Sequence, residues 1–493
     1  KALIMYHFPT PIYTANAVKD WQNRWVGLGN RSFGLMQQAA LMMSNTLKAH
    51  LKPDSSICIW CGVGNNGGDG YLLGVYLSEY YHVSIYPALP AKSDDAVWAY
   101  QDVIAADLPI LQSPIEADIH IDALFGDGLT HPLDDIWCTI IEQYNAIKGT
   151  KIAIDIPSGL HPDTGIPLPC ATQVDMTLCL MAYKAGLFMG YAKNYVGCII
   201  NHPLIPTDVL LEPIAIINNR LPSLPNRTRH SNHLHKGGAG SVMVIGGSAL
   251  MGGAALMSAE AAIQVGAGRV TVMTHPNHHT AIISKSPNLM LGHIDKIDQT
   301  QLTEMTAICF GMGLGRDDWA KSIFKKWLAI LMTHHMPIVL DADALWHLAN
   351  QPPSRLPDHC IGTPHHAEAG RLLGISATQV EADRMAAIIQ LQNHYGGQWI
   401  LKGANSLSID TLGNISICTL GNAGMATAGM GDVLSGMLAG LLAQDATLPF
   451  AQIIALHARS GDILSQESIS VDVNKMGNTA AKLLKTNAIP SDN

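Results

Sequence analysis

Short apolar runs recur along the chain, each closing on a glycine-rich or polar turn and followed by a stretch with helical spacing. In the first half, Ser56–Cys61 reads as a strand entering a glycine-rich loop, and Tyr71–Tyr80 as the helix behind it. Val83–Tyr86, Ile119–Leu124, Lys151–Ile156 and Asp175–Leu180 read as further strands, with helical patterns at Asp94–Ala106 and Leu133–Ile147. Alternation of this kind predicts a mainly parallel sheet covered on both faces, with binding loops at the carboxyl ends of the strands. The rhythm breaks between Asn218 and His235, where Pro222, Pro225 and histidines at 230, 233 and 235 read as a solvated linker. A boundary there gives domains 1–221 and 222–493. The second half restarts with strand Ser241–Ile245, helix Ala254–Val265 and strand Arg269–Thr274. Strands follow at Ala307–Phe310, Ile338–Asp341 and Trp399–Lys402, and a long glycine-rich turn opens into helix Asp432–Ala443. No repeat relates the two halves.

Composition narrows the function classes. Hydrophobic residues make up 48% and charged residues 14% of the 493 positions, which excludes disorder. With 30 basic against 39 acidic residues, the net charge is −9. Nucleic-acid binders carry a basic excess, so an anionic ligand here must be held locally, by helix N-termini and single lysines. The nine cysteines are scattered through apolar runs, as in reduced thiols of a cytoplasmic protein. Cys58 and Cys61 form a CxxC with no second pair, which argues against zinc. The run Val433–Ala443 is far short of the roughly 20 residues that span a bilayer, and Pro9 and Pro11 break any signal-peptide pattern.

Chemistry concentrates at the predicted strand ends. Gly62-Val63-Gly64-Asn65-Asn66-Gly67-Gly68-Asp69-Gly70 lets backbone approach a ligand closely, while two amides and a carboxylate offer oxygens suited to a polar ligand or a hard cation. Asp122, in Asp122-Ala123-Leu124-Phe125-Gly126-Asp127-Gly128-Leu129, and Asp155, in Ile154-Asp155-Ile156-Pro157-Ser158-Gly159-Leu160, end two further strands. Carboxylates there serve general acid/base chemistry or cation binding. These three motifs, in this order over roughly residues 10–215, resemble the N-terminal epimerase domain of the bifunctional NAD(P)H-hydrate repair enzymes. The resemblance implies a Rossmann-like αβα sandwich that binds hydrated NADH or NADPH and one potassium ion. It assigns Asn66, Asp122 and Ser158 to potassium. It assigns Asn65, Asn66, Gly67, Gly68, Asp69, Gly126, Asp127, Gly128, Leu129, Thr130, His131, Pro132 and Asp155 to the substrate, with Asp155 as acid/base. One departure is Leu35-Met36-Gln37-Gln38-Ala39-Ala40, where the family often has LMENAG.

The second half carries Gly421-Asn422-Ala423-Gly424-Met425-Ala426-Thr427-Ala428-Gly429-Met430-Gly431-Asp432, small residues that free the amides of 429–431 where a helix begins. Such an end stabilises a transferring phosphoryl group, and Asp432 stands beside it as a base for a substrate hydroxyl. Lys402-Gly403-Ala404-Asn405-Ser406 can bring an ammonium to phosphate, and Thr363-Pro364-His365-His366-Ala367-Glu368 adds a polar loop. His365 is a ligand-contacting or a purely structural residue on this reading. With Phe310-Gly311-Met312-Gly313-Leu314-Gly315, these segments resemble, over about residues 226–485, the ADP/ATP-dependent NAD(P)H-hydrate dehydratase domain, of ribokinase-like α/β fold. That resemblance assigns Ala254, Gly313, His365 and Asp432 to the hydrated dinucleotide, and Lys402, Gly403, Ala404, Asn405, Ser406 and Gly431 to the nucleotide, with magnesium. Met312, Ala367 and Met430 stand where the family commonly has proline, glycine and serine. The expected function is repair of hydrated NADH and NADPH: R/S epimerisation, then ADP-dependent dehydration of the S form through phosphorylation of the ring hydroxyl. The family implies a homo-oligomer, such as a tetramer, with neither nucleic acid nor membrane as partner. A small-molecule kinase and a non-catalytic scaffold are the rival readings.

Overall fold

The structure is a computed structural model and describes residues 9–224, 238–296, 298–352 and 355–487; the histidines at 230, 233 and 235 lie outside them. Contacts divide the chain into one compact unit from Pro11 to Ala215 and a second from Ile216 onward.

The first unit is a six-stranded parallel sheet in the order His82–Pro87, Ser56–Cys61, Ile119–Ala123, Thr150–Ile154, Met176–Leu180, Cys198–His202. Because successive strand residues point to opposite faces, Ile57, Ile59 and Cys61 enter one core with Val18, Met36, Leu73 and Val103 from four helices. Cys58 and Trp60 enter another, against Ile140, Ile141 and Tyr144 of helix Asp135–Ala146. The expected αβα sandwich follows from this alternation. Cys58 and Cys61, three apart on a strand, therefore face different layers.

One helix starts earlier than periodicity suggests. The predicted start at Tyr71 is corrected to Asn65, the helix running Asn65–Leu77. Its glycines are contact points: a Cβ on Gly67 would lie 2.1 Å from the Gly62 carbonyl oxygen, and one on Gly70 2.5 Å from the Ala123 methyl. Glycine looked like loop in the sequence, but here it lets a helix sit against a strand end.

In the second unit, parallel pairing joins Leu356–Gly362, Ile338–Leu340, Ala307–Phe310, Ser241–Ile245, Arg269–Thr274 and Met290–His293, with Gly396–Leu401 beside Leu356–Gly362. The hairpin Ser406–Ile409/Ile415–Cys418, which periodicity did not reveal, adds antiparallel pairs. Val242 and Val244 pack under helices Gly252–Gln264, Met430–Leu442 and Phe450–Leu464. On the sheet's other side Phe310 stacks on Phe324 of helix Asp318–Leu331. The apolar run predicted at Asp432–Ala443 is this buried helix, packed so closely on its neighbour that a Cβ on Gly436 would meet the Ser258 carbonyl oxygen at 2.1 Å. Among the described residues no helix is long and apolar enough to cross a membrane.

Residues just before the sequence-derived boundary at 222 pair inside the second unit. Ile216 and Ile217 run parallel to Ser416 and Ile417, Asn218 N donates to Ile417 O at 2.9 Å, and Asn219 and Thr419 exchange hydrogen bonds of 2.7 and 3.0 Å. A fragment starting at Ile214 is therefore expected to melt higher than one starting at Pro222. At roughly 1 kcal/mol per lost hydrogen bond, the difference is on the order of 5–10 °C, measurable by calorimetry; equal melting temperatures would show that this strand adds nothing.

Candidate functional sites

The carboxyl ends of the first sheet open into a cavity of about 530 Å³. Asn65, Asn66, Asp69, Gly126, Asp127, Gly128, Leu129, His131 and Asp155 line it together, as the sequence suggested. Gly67, Gly68, Thr130 and Pro132 are not among its walls. The reason is plain for the two glycines: their Cα faces press against Gly62 and the Met36 side chain. Asp155 directly follows its strand with φ +67°, a left-handed backbone that a residue with a Cβ rarely adopts. Its Oδ1 accepts from Leu180 N at 3.2 Å and from Lys184 Nζ, and its Oδ2 accepts from Asp127 N at 3.1 Å.

Lys184 escaped the sequence reading, although its signal is visible: a single charge in the apolar run Met181-Ala182-Tyr183-Lys184-Ala185-Gly186-Leu187. Its side chain is 1% exposed, donates to Leu180 O at 2.8 Å and lies 3.8 Å from Asp127. Burial opposes its charge, but the Asp155 and Asp127 carboxylates outweigh burial and hold the ammonium firmly protonated. Burial and the Asp155 charge push Asp127 up to about 6, and the same two causes raise Asp69 well above the usual carboxylate range. One ammonium does not neutralise three carboxylates, so the cluster keeps protons near neutrality.

Asp122 and Ser158 lie beneath this cavity. Asp122 accepts from Ser158 N at 2.8 Å, Ser158 Oγ at 2.6 Å, Thr172 Oγ1 at 2.5 Å and Leu124 N at 3.1 Å. Burial raises its carboxyl, against the pull of those donors. Asp122 and Ser158 are thus bonded oxygen groups, while the Asn66 Oδ1 would stand 3.2 Å from a Cβ on Gly126. The buried Asn66 Nδ2 has no hydrogen-bond partner.

In the second unit, the loop before helix Met430–Leu442 turns at Gly429, φ +89°. Of the three amides expected to face an anion, that of Met430 is bonded to Thr427 O at 3.3 Å, so the intended cradle is narrower than predicted. Asp432 sits in the first helical turn. Burial and the charges of Asp341, Asp343 and Glu368 push its carboxyl up to about 7, with Lys402 pulling the other way. Lys402 Nζ donates to Asp341 Oδ1 at 2.8 Å and lies 4.0 Å from Glu368. A Cβ on Gly431 would stand 3.2 Å from that Nζ. Lys402 is thus a paired, half-enclosed group and not a solvated surface lysine.

The rest of the predicted set is spread over three further segments. Gly403, Ala404, Asn405 and Ser406 form the tight turn after strand Gly396–Leu401, with Ser406 Oγ donating to Gly403 O at 3.2 Å. Gly313 has φ +60°, and a Cβ there would lie 3.2 Å from the Ala254 methyl. His365 caps helix His366–Leu373, its Nδ1 accepting from Ala367 N at 3.1 Å and Glu368 N at 3.4 Å. Burial, then Lys402 and His366, lower it to about 4, so a neutral ring fits the capping role. The sequence gives no role to Asp341, Asp343 and Arg316, nor to Ser435, although Ser435 lies in the same glycine-rich motif: Ser435 Oγ donates to Asp341 Oδ2 at 2.6 Å, and Nε of the half-exposed Arg316 to Asp343 Oδ1 at 2.9 Å. A separate cavity of about 490 Å³ in this unit, lined by His335, His359 and Asp410 among others, contains none of the expected residues.

Comparison with known proteins now places the chain. A family model described as NAD(P)H-hydrate dehydratase matches residues 242–482, and one described as YjeF-related protein N-terminus matches residues 32–186. A bifunctional NAD(P)H-hydrate repair enzyme of Coxiella burnetii is 36% identical over 93% of this chain and 96% of its own length. Its counterpart in Vibrio cholerae is 35% identical over 92% of this chain and 94% of its own. Among solved structures, a ribokinase-like superfamily protein of Enterococcus faecalis is 29% identical, with a TM-score of 0.49, covering 55% of this chain and 97% of that one. With relatives matched over more than nine-tenths of both chains and both halves of the pattern in one polypeptide, the chain belongs to the family of bifunctional NAD(P)H-hydrate repair enzymes.

Proposed function

We propose that the first unit interconverts the R and S hydrates of NADH and NADPH, and that the second dehydrates the S form at the expense of ADP. The observation that carries the second assignment is a carboxylate in the first turn of a helix with the Lys402 ammonium against the adjoining Gly431, where burial and neighbouring carboxylates push Asp432 up to about 7. Hydroxide is a poor leaving group, and phosphate is a good one. Asp432 takes the proton of the ring hydroxyl as that oxygen attacks the terminal phosphoryl group of ADP. The bond to the departing AMP breaks, the ring nitrogen expels phosphate to leave an iminium, and loss of a proton from the neighbouring ring carbon to the departing phosphate restores the double bond. The helix N-terminus and Lys402 stabilise charge on the transferring group, and magnesium arrives with the nucleotide as its complex. Lys402 to Ser406 and Gly431 would hold the nucleotide, and Ala254, Gly313 and His365 the hydrate.

In the first unit, Asp155 would move the proton at the hydroxyl-bearing carbon's oxygen, fixed in aim by Lys184 and the Leu180 and Asp127 amides. The unpartnered Asn66 amide suits an acceptor on the dinucleotide. Asn66, Asp122 and Ser158 fit a potassium ion, since a hard monovalent cation takes oxygen ligands and one negative charge. When bound, that ion would offset buried negative charge beside the substrate.

Three outcomes test this. Asp432→Asn should cut dehydration by roughly 10²–10⁴-fold, read as recovery of reduced-nicotinamide absorbance, while epimerisation continues; near-normal dehydration by the folded variant would remove Asp432 from the step. Dehydration kcat/KM should fall as pH drops through about 7, because only the ionised Asp432 accepts a proton, and His365, held near 4, should add no second limb around 6.5. Asp155→Ala should halt R/S interconversion, followed by chiral separation, with S hydrate still consumed; unchanged interconversion would refute the assignment.

A further inference from the structure

We propose that Asp341 is a positioning residue for dehydration: it fixes Lys402 under the anion loop at Gly431, and its charge keeps the Asp432 carboxylate a working base. The proposal rests on the reading of Asp432 as that base. Asp341 immediately follows strand Ile338–Leu340 and is 1% exposed, so it cannot itself reach a ligand through solvent. Its two oxygens are divided between tasks. Oδ1 accepts from Lys402 Nζ at 2.8 Å and from Ala342 N at 2.9 Å, and Oδ2 accepts from Ser435 Oγ at 2.6 Å.

Ser435 lies three residues beyond Asp432 on the same helix, so the carboxylate ties strand, lysine and anion-binding helix into one assembly. A Cβ on Gly431 would lie 3.2 Å from Lys402 Nζ and 3.8 Å from Asp341 Oδ2, which puts the pair directly against the loop amides. The backbone is bent to achieve this: Ala342 has φ +49°, a conformation disfavoured for any residue with a Cβ and found where surrounding structure imposes it.

The charged surroundings are few. Asp341, Asp343 and Glu368 face Asp432 as negative charges and Lys402 as a positive one, with burial the largest single effect and Asp341 the largest charge. Arg316 pairs with Asp343, not with Asp341. His365 and His457, both near Lys402, are held to about 4 by burial and stay neutral over the working range. Removing the Asp341 charge therefore lowers the proton affinity of Asp432 directly, and again by releasing Lys402 toward it.

The test uses the whole chain, the S hydrate of NADH and magnesium ADP. In Asp341→Asn, of the same shape, the acid limb of dehydration kcat/KM should move from about pH 7 to lower pH, by roughly one unit. KM for ADP should rise about tenfold as Lys402 loses its anchor. Ser435→Ala removes a neutral donor and should leave the limb in place, as a packing change alone would. If Asp341→Asn is insoluble, the smaller Asp341→Ser is read in the same way. A limb that stays at its native position in a soluble Asp341 variant overturns the proposal. If Asp432→Asn still dehydrates, the reading beneath it fails instead, and the two failures are told apart by that variant alone.

Discussion

An ammonium bonded to a buried carboxylate at the end of a parallel strand organises each unit. In the first unit it is Lys184 with Asp155, in the second Lys402 with Asp341. An ion taken out of water must find a partner, because unpaired burial costs several kcal/mol. Pairing meets that requirement but leaves the surrounding carboxylates outnumbering the cations. Asp69 and Asp127 in one site, and Asp432 in the other, then bind protons far more readily than they would in water. A group whose proton comes and goes near neutral pH is what hydroxyl chemistry needs. The raised carboxylates of both sites thus descend from burial and from an electrostatic shortage of positive charge.

Geometry supplies the other half. Parallel strands present their carboxyl ends together, so Asp122 and Asp155 in the first unit, and Asp341 and Lys402 in the second, are brought to one sheet edge of their own unit although far apart in sequence. Close glycine contacts then pull helices onto those ends. In one unit Gly62 and Gly67 meet; in the other Gly436 meets Ser258, whose hydroxyl also donates to the Asp432 carbonyl oxygen at 2.8 Å.

The pattern of legibility follows from this. Strands Ser241–Ile245, Arg269–Thr274 and Ala307–Phe310 were read from the sequence to the residue, because a strand covered on both faces must be apolar throughout. The sequence singles out Asp155, Asp432 and Lys402 because each is a charged group at a predicted strand or helix end within a glycine-containing motif. Lys184 and Asp341 were passed over because their partners lie on other elements, and pairing across a sheet leaves no local spacing. The helix start at Asn65 was hidden because glycine signals a turn until one sees what its missing side chain touches. At Gly67 and Gly68 what the structure displays is the packing that a missing side chain permits. The hairpin after Ser406 and the pairing of Ile216 with Ser416 depend on long-range partners that no window of periodicity contains.

The helix Met430–Leu442 carries a consequence for how such a chain can drift over generations. Gly436 and, one turn further, Gly440 face the backbone of helix Gly252–Gln264, where a methyl group would stand 2.1 Å from Ser258 O and 2.7 Å from Ala262 O. No other amino acid fits either place without parting the two helices, and parting them would carry Asp432 with them. Selection for folding alone would therefore preserve much of the glycine signature around this site, even in a descendant that had lost its reaction. On the mechanism proposed for Asp432 and Lys402, a lineage relieved of the reaction would betray that first at those two positions, while its glycines still spelled out the ancestral trade.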